Sequence, residues 1–399
     1  MKIIHTSDWH LGHRLYNYDR SDEEVDFFRQ LAELVEKECP DALVVSGDVF
    51  HTGVPGNDVA KSFTDSLLYV VSRCREMETV VIAGNHDSYS RLVVDEALWK
   101  HCRVHVFGTP TEDGDGNAVL DGNIVELPGK GYIAAVPFCH ARNFPMIPGT
   151  DGNDRAATYF EALSARLAER NAAKLPCVLV AHLAVGKDTS FTGQDRQGVI
   201  GGEECVDPET LGAGYDYIAL GHIHCPQWVK GGGKIARYCG TPRAIHFDET
   251  YPHGVDVVEV EAGMEPVLRA EVFKPMRDLV TVGGKDGVAF EAAVKAVEEI
   301  VASPETYVRL NVSLGEGDVV GADWTERARK ACCAKGLRFC VNNPIRTETS
   351  EKPEAKKVLT MEELKELSND EVLQILSTRQ RLSDRQRELV KSLMEEKAI

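Results

Sequence analysis

One arrangement recurs along this chain and limits what it can fold into. Short apolar runs, rich in β-branched residues, stop abruptly in histidine, aspartate or asparagine. The clearest is V-V-I-A-G-N-H-D, residues 80–87. Its apolar half predicts a short buried strand. Gly84 lets the backbone turn, so Asn85, His86 and Asp87 arrive together at the strand's carboxyl end. Three polar side chains directly after a buried strand serve stability poorly and serve a site well. The same punctuation follows residues 2–7 (Asp8, His10), 42–46 (Asp48, His51), 177–181 (His182) and 215–220 (His222, His224).

Helical patterns lie between these runs. Ser21, with Glu24 three residues on, resembles a capping box. Val25, Phe28, Leu31, Ala32 and Val35 then predict a buried stripe, which Cys39-Pro40 ends. A second helix is expected over 57–77, with Val59, Phe63, Leu67, Val70 and Val71 inward, and a third over 156–173. Asp8 and His10 are two apart, so an extended segment would point them the same way. Alternating strands and helices predict a layered α/β core. Residues 103–136 read as hairpins, and 255–260 as the last strand of this part.

The character changes near Phe273-Lys274-Pro275. Strand signals at 279–282, 306–312 and 337–341, with helices over 290–301 and 324–334, suggest a small α/β module. Residues 346–357 are polar and charged, as a linker is. Three capping boxes follow, Thr360/Glu363, Ser368/Glu371 and Ser383/Gln386. Their apolar faces, including Leu373, Leu376, Leu389 and Leu393, are too small to fold alone.

The net charge of -18 argues against holding nucleic acid by a basic surface alone. A nuclease whose bound metals offset local charge stays open. Eleven cysteines without a C-x-x-C pair read as reduced thiols in a cytosolic protein. The first residues enter a strand directly, so a signal peptide is not expected. No apolar run approaches the roughly 20 residues of a membrane helix.

The strand ends together collect Asp8, His10, Asp48, Asn85, His86, His182, His222 and His224. All but His86 are suitable ligands for two divalent ions. Carboxylate, imidazole and amide oxygen suit manganese, iron or zinc, and thiolate is absent from the set. An aspartate can bridge two ions, and ions roughly 3.5–4 Å apart can clamp the attacking and leaving oxygens of a phosphoester. His5, His101, His105, His140 and His253 read as structural, while His13 and His246 stay open.

The order D-x-H, G-D-x-x-H, G-N-H-D, a lone H after a strand, and G-H-x-H resembles the calcineurin-like metallophosphoesterases. Within them it looks most like the SbcD-type DNA repair nucleases. The opening H-T-S-D-W-H-L-G and the G-T-P-R…F-D-E stretch, residues 240–249, point to that branch. The resemblance implies a four-layer α/β-β/α core with a β-sandwich centre over 1–272. It implies a capping α/β domain over 273–345, a linker over 346–358 and a helical partner-binding tail over 359–399. It implies that Asp8, His10 and His224 hold one ion, that Asn85, His182 and His222 hold the other, and that Asp48 bridges them. The ions would be Mn2+ by preference, with Fe2+, Zn2+ or Mg2+ as alternatives. His86 would protonate or stabilise the leaving oxygen, His51 would orient the scissile phosphate, and Asp87 would orient His86 or its loop.

The same resemblance implies 3′-to-5′ exonuclease action on duplex DNA and endonuclease action on single strands and hairpins. It implies an SbcC-type ABC ATPase as partner, a homodimer within a heterotetramer, and a cytoplasmic, nucleoid-associated location without membrane contact. Arg14, Tyr16 and Arg20, in a mixed basic and aromatic loop, are candidate DNA contacts. The Gly-rich loop 186–202 is a candidate substrate-facing segment. Phe63 and Leu67 are candidates for the dimer surface. Two rival readings are a phosphoesterase for a small molecule or phosphoprotein, and a non-catalytic scaffold on DNA ends.

Overall fold

The structure is a computed structural model that describes residues 1–150, 152–186, 205–231, 235–301, 303, 305–315 and 319–346. The chain divides into a unit Met1–Arg346 and a second, Thr347–Ile399, which lies outside the described residues. The linker and tail helices expected there, and residues 187–202 of the Gly-rich loop, are likewise outside them.

Fifteen strands are described. They are β1 Lys2–Thr6, β2 Ala42–Ser46, β3 Glu78–Ile82, β4 Val104–Phe107, β5 Ile124–Leu127, β6 Gly131–Val136, β7 Cys177–His182 and β8 Tyr217–Gly221. Then come β9 Gln227–Trp228, β10 Ala236–Tyr238, β11 Gly254–Glu259, β12 Val267–Val272, β13 Leu279–Val282, β14 Tyr307–Leu314 and β15 Arg338–Arg346. The helices are α1 Ser21–Glu38, α2 Asn57–Val71, α3 Tyr89–Leu92, α4 Glu96–Trp99, α5 Arg155–Arg170, α6 Phe290–Glu299 and α7 Trp324–Ala334.

Two six-stranded sheets, ordered β12-β11-β1-β2-β3-β4 and β5-β6-β7-β8-β10-β9, form the centre. Each holds four parallel strands, β1 to β4 in one and β6, β7, β8 and β10 in the other. Strands buried on both faces read as continuous apolar runs, as β2, β6, β7 and β8 do, whereas the edge strand β4, V-H-V-F, alternates buried and partly exposed residues. Successive side chains still point to opposite faces. Ile4, Leu43, Val45 and Val81 pack on Phe28, Leu31 and Val35 of α1. Their neighbours Ile3, Ala42, Val44, Val80 and Ile82 meet Ile133, Ala135, Val178, Val180 and Ala219 of the second sheet. That sheet's other face, with Ala134, Leu179, Ala181 and Leu220, packs on Tyr159, Phe160, Leu163 and Leu167 of α5. Helix, sheet, sheet and helix make the four layers expected.

A third, parallel sheet β13-β14-β15 carries its own core with α6 and α7. It meets the larger part through α1. Glu23 accepts from Tyr307 Oη at 2.7 Å and from Arg277 Nη1 at 3.3 Å. All eleven cysteines are free thiols. Among the described residues no helix is long and apolar enough to cross a membrane.

Several local expectations are corrected. Val25 is 58% exposed, because Glu23 and Glu24 occupy the inward positions of the first turn of α1. Ser21 Oγ bonds Asp19 instead of closing a capping box, and Glu24 turns away to Gly12 N. Phe63 and Leu67 are not surface residues; they are buried among Trp9, Phe50 and Trp99, so they cannot form a dimer face. Residues 104–107 join β3 in parallel rather than as a hairpin. The edge strand β12, mostly exposed, carries no clean apolar alternation, and only its pairing with β11 defines it.

His5 is structural. Its ring lies 2.9 Å from Tyr217 Oη and 2.8 Å from Ser46 Oγ, between the two sheets. Burial, and then the Arg237 charge, lower its pKa to about 3. The folded state therefore stays unprotonated where the unfolded chain, near 6.5, takes up a proton. Stability falls as pH drops through 6.5, at about 1.4 kcal/mol per pH unit for each such histidine. Urea unfolding of the metal-free protein at pH 7.5 and 5.5 should show this loss, and His5→Gln should reduce it by about one histidine's share. An unchanged slope in the variant refutes the account.

Candidate metal centre

The parallel strands of both sheets end on the same side, and their exits bring the polar residues together. Asp8 and His10 do not converge through strand alternation as expected. Both are in the left-handed region, with φ of 51° and 45°, as are Asp48 at 50° and His222 at 99°. Asp, Asn and His tolerate that region best among residues with side chains, and such strain clusters at functional sites. Gly84 is required here by close approach: a Cβ on it would lie 2.1 Å from Asp48 Oδ1. Gly47, with φ of 92°, would press a Cβ to 2.2 Å from His182 Nδ1.

Asp48 is central and 2% exposed. His10 Nε2 lies 3.7 Å from its Oδ2, and His182 Nε2 lies 3.5 Å from its Oδ1. Its Oδ1 also accepts from His86 N at 2.9 Å. On one side His10 Nε2 faces His224 Nε2 at 3.2 Å. On the other, Asn85 Oδ1 lies 2.9 Å from His182 Nε2 and 3.1 Å from His222 Nδ1. Asp8 accepts from His222 N at 3.1 Å and from Ser7 Oγ at 2.5 Å. Two groupings with ligand atoms within 4.8 Å, Asp8/His10/His224 and Asp8/Asp48/His182, draw on these residues.

Hydrogen bonds behind the rings set which nitrogen is left with a lone pair. His182 Nδ1 donates to Ser46 O at 2.8 Å, so its Nε2 faces inward as an acceptor. His224 Nδ1 donates to Glu249 Oε1 at 2.8 Å, with the same result. His10 Nδ1 is buried with no hydrogen-bond partner among the described residues. Lone pairs of imidazole and carbonyl thus gather around two buried carboxylates, a donor set that fits cations and little else.

The electrostatics agree. Burial raises the Asp8 pKa, against the pull of His182 and His224. Burial, with His224 next, pushes His10 far down. Burial, then His182, brings His222 to about 3. For His182 burial is outweighed by Asp48 and Asp8, and its pKa rises. Burial, then the Asp48 charge, lifts Asp87 to about 7. Asp87 accepts from Gly84 N (2.8 Å), Val49 N (3.0 Å) and Phe50 N (2.8 Å), tying the G-N-H-D turn to the G-D-V-F-H turn.

His51 and His86 are partly exposed at the rim, with rings 5.8 Å apart and stacked. His86 Nδ1 donates to His51 O at 3.0 Å, leaving Nε2 available. His13, left open by the sequence, is buried with its ring 4.7 Å from His51. His105 pairs with Glu78, and His253 bonds Thr241, so both are structural. In the loop of candidate DNA contacts, the side chain of Arg14 is 58% exposed and Tyr16 is 40% exposed. Arg20 is a correction: it is 2% exposed and bonded to Glu23 and Ala244 O, so it cannot contact DNA. Glu249 was missed as a partner of His224. Its signal was the F-D-E segment, which assigns no role without the fold.

The family model "Calcineurin-like phosphoesterase" matches residues 1–226, and the chain belongs to that family. Within it the similarity is to the SbcD subunits of SbcCD nucleases. The chain is 33% identical to the SbcD nuclease subunit of Rhodobacter capsulatus, over 67% of its length and 68% of the relative's. It is 29% identical to the SbcD nuclease subunit of Bacillus subtilis, over 72% and 74% of the two chains. The corresponding Escherichia coli K12 protein is 27% identical, over 79% of each. The SbcD-type resemblance carried by the motifs is thereby borne out.

Proposed function

We propose that this chain is the nuclease subunit of an SbcCD-type complex and hydrolyses DNA phosphodiesters with two divalent cations, Mn2+ by preference. The arrangement around Asp48 carries the reading. Asp8, His10 and His224 are proposed to hold one ion, and Asn85, His182 and His222 the other, with Asp48 shared. Such ions, when bound, supply Lewis acidity and a template for in-line displacement.

The chain's own groups do the rest. Glu249 and Ser46 O hold His224 and His182 in the tautomer that leaves Nε2 inward. His86 presents Nε2 at the rim; with Nδ1–H held by His51 O, it is the imidazolium form of the ring that carries a second proton on Nε2, which a leaving oxygen can take. His51, beside it, orients the scissile phosphate. Asp87 keeps the two turns in register. Arg14 and Tyr16 lie exposed on a loop that can follow a DNA backbone. The names of the relatives, each a D subunit of an SbcCD nuclease, support nuclease action within a two-subunit assembly. DNA as substrate, an SbcC-type ATPase as partner, and exonuclease and hairpin endonuclease activities are part of the proposal. We read residues 1–272 as the catalytic domain, 273–345 as the cap, 346–358 as linker and 359–399 as partner-binding tail in a dimeric complex.

The decisive assay is Mn2+-dependent cleavage of blunt and hairpin duplexes, with and without an SbcC-type ATPase and ATP. Cleavage of both, stimulated by the ATPase, is expected. Turnover of a chromogenic phosphodiester with no DNA cleaved under any condition would favour a small-molecule phosphoesterase. The tail makes a separate expectation. Because β15 runs to Arg346, a truncation must fall after that residue. The truncated chain should keep its metal and its basal phosphodiesterase activity, yet fail to co-purify with the ATPase. Complex formation at full yield on size exclusion would refute the tail's role.

A further inference from the structure

Arg243 lies in the G-T-P-R turn after β10 and is 8% exposed. Its Nη2 donates to Trp9 O and His10 O, each at 3.3 Å, and to Glu24 Oε1 at 2.9 Å. The same Glu24 oxygen accepts from Gly12 N at 2.9 Å. One guanidinium nitrogen and one carboxylate oxygen therefore hold three backbone groups within residues 9–12.

That stretch needs holding. Asp8 and His10 have positive φ, at 51° and 45°, whereas Gly12 takes its 83° without steric cost. Backbone strain of this kind persists only where the surroundings over-determine it. The neighbouring turn after β2 also holds it, through Asp8 N to Gly47 O at 3.0 Å, His10 N to Asp48 O at 3.0 Å, Leu11 N to Val49 O at 2.9 Å and His51 N to Leu11 O at 3.0 Å, and His13 N bonds His10 O within the stretch at 3.1 Å. Arg243 and Glu24 grip the stretch from another part of the chain.

A role in stability alone explains the pair poorly. A buried ion pair is often replaceable by apolar residues of similar volume without loss. Here Arg243 Nε and Nη1 are buried with no hydrogen-bond partner among the described residues. The one nitrogen that is fully used is the one aimed at the carbonyls of Trp9 and His10.

We infer that Arg243 and Glu24 are positioning residues for the first half of the metal centre. They hold the S-D-W-H-L-G-H turn so that the Asp8 carboxylate and His10 imidazole face His224. This rests on the ligand assignment proposed above. It touches the ion held by His10 and leaves the ion held by His182 and His222 in place.

The test uses the full chain as wild type, Arg243→Met, Arg243→Lys and the double variant Arg243→Met/Glu24→Gln. Calorimetric titration with Mn2+ alone counts and ranks the sites, and hydrolysis of bis-p-nitrophenyl phosphate gives kcat and KM. Wild type should bind two ions. In Arg243→Met one site should weaken by about 10–100-fold, as loss of a ligand's supporting partner does, while the other holds. kcat should fall with that site, and KM should move less. Arg243→Lys keeps the charge and a three-donor nitrogen, but that nitrogen ends one bond short of where Nη2 lies, so it should recover only part of the loss. The double variant leaves no unpaired buried charge and keeps the experiment readable if Arg243→Met unfolds. A folded Arg243→Met or double variant with both affinities within twofold of wild type overturns the inference, as does equal weakening of both sites. A wild type that binds no Mn2+ overturns the ligand assignment itself.

Discussion

Asp48→Asn is expected to abolish tight binding of both metal ions while leaving the protein folded. The side chain keeps its size and an oxygen that can accept from His86 N, now 2.9 Å away. It loses the charge that His10 Nε2 and His182 Nε2 approach at 3.7 and 3.5 Å. Because both halves of the centre meet at this one carboxylate, neither keeps its full donor set. Bound ions contribute several kcal/mol of charge stabilisation in phosphoester hydrolysis. At about 1.4 kcal/mol per tenfold in rate, turnover should drop by roughly 10³-fold or more. The metal-free variant should be no less stable than metal-free wild type, since one of several buried charges is gone and Asp87 is relieved of the Asp48 charge that raises its pKa. Metal analysis of the purified variant, with a thermal melt in chelator, checks both statements. Two tightly held ions in Asp48→Asn would sink the bridging assignment.

His86→Ala should separate binding from chemistry. Its backbone N–H to Asp48 survives the substitution, and its ring serves none of the proposed ligand positions. Metal content and DNA affinity should therefore match wild type. Turnover should fall by about 10²–10⁴-fold, the usual contribution of a general acid. The alternative is concrete, because His10, His51 and His86 also bring ligand atoms within 4.8 Å of one another. If His86→Ala loses an ion, that trio is a metal site and the proton donor must be sought elsewhere. His51→Ala refines the outcome. As an orienting residue it should raise KM for DNA along with its effect on kcat, whereas a ligand would lower occupancy.

Much of the candidate centre was legible before any coordinates. Each proposed ligand follows an apolar run directly, and such a run names its own end: the chain must leave the sheet there. Parallel strands place those ends on one side, so a pattern written along the chain becomes a cluster in space. Helical periodicity likewise located α1, α2, α5 and the two helices of the smaller module, because burial of a stripe is a local property. Tertiary structure alone decided how buried polar groups pair. Glu249 and His224 are 25 residues apart, and Arg243 and Glu24 are 219 apart. No spacing rule links such partners; they meet because two sheets and a helix bring them together. The same reason turned Arg20 inward to Glu23, placed Phe63 and Leu67 against Trp9 rather than at a dimer face, and made Val267–Val272 a strand through pairing with β11. It also set Asp8 and His10 in left-handed turns, since that conformation is unfavourable locally and is held by hydrogen bonds from β2's turn and from Arg243. Local sequence determines where the chain is buried and where it turns, whereas partners for charge and strain exist only once distant segments have packed.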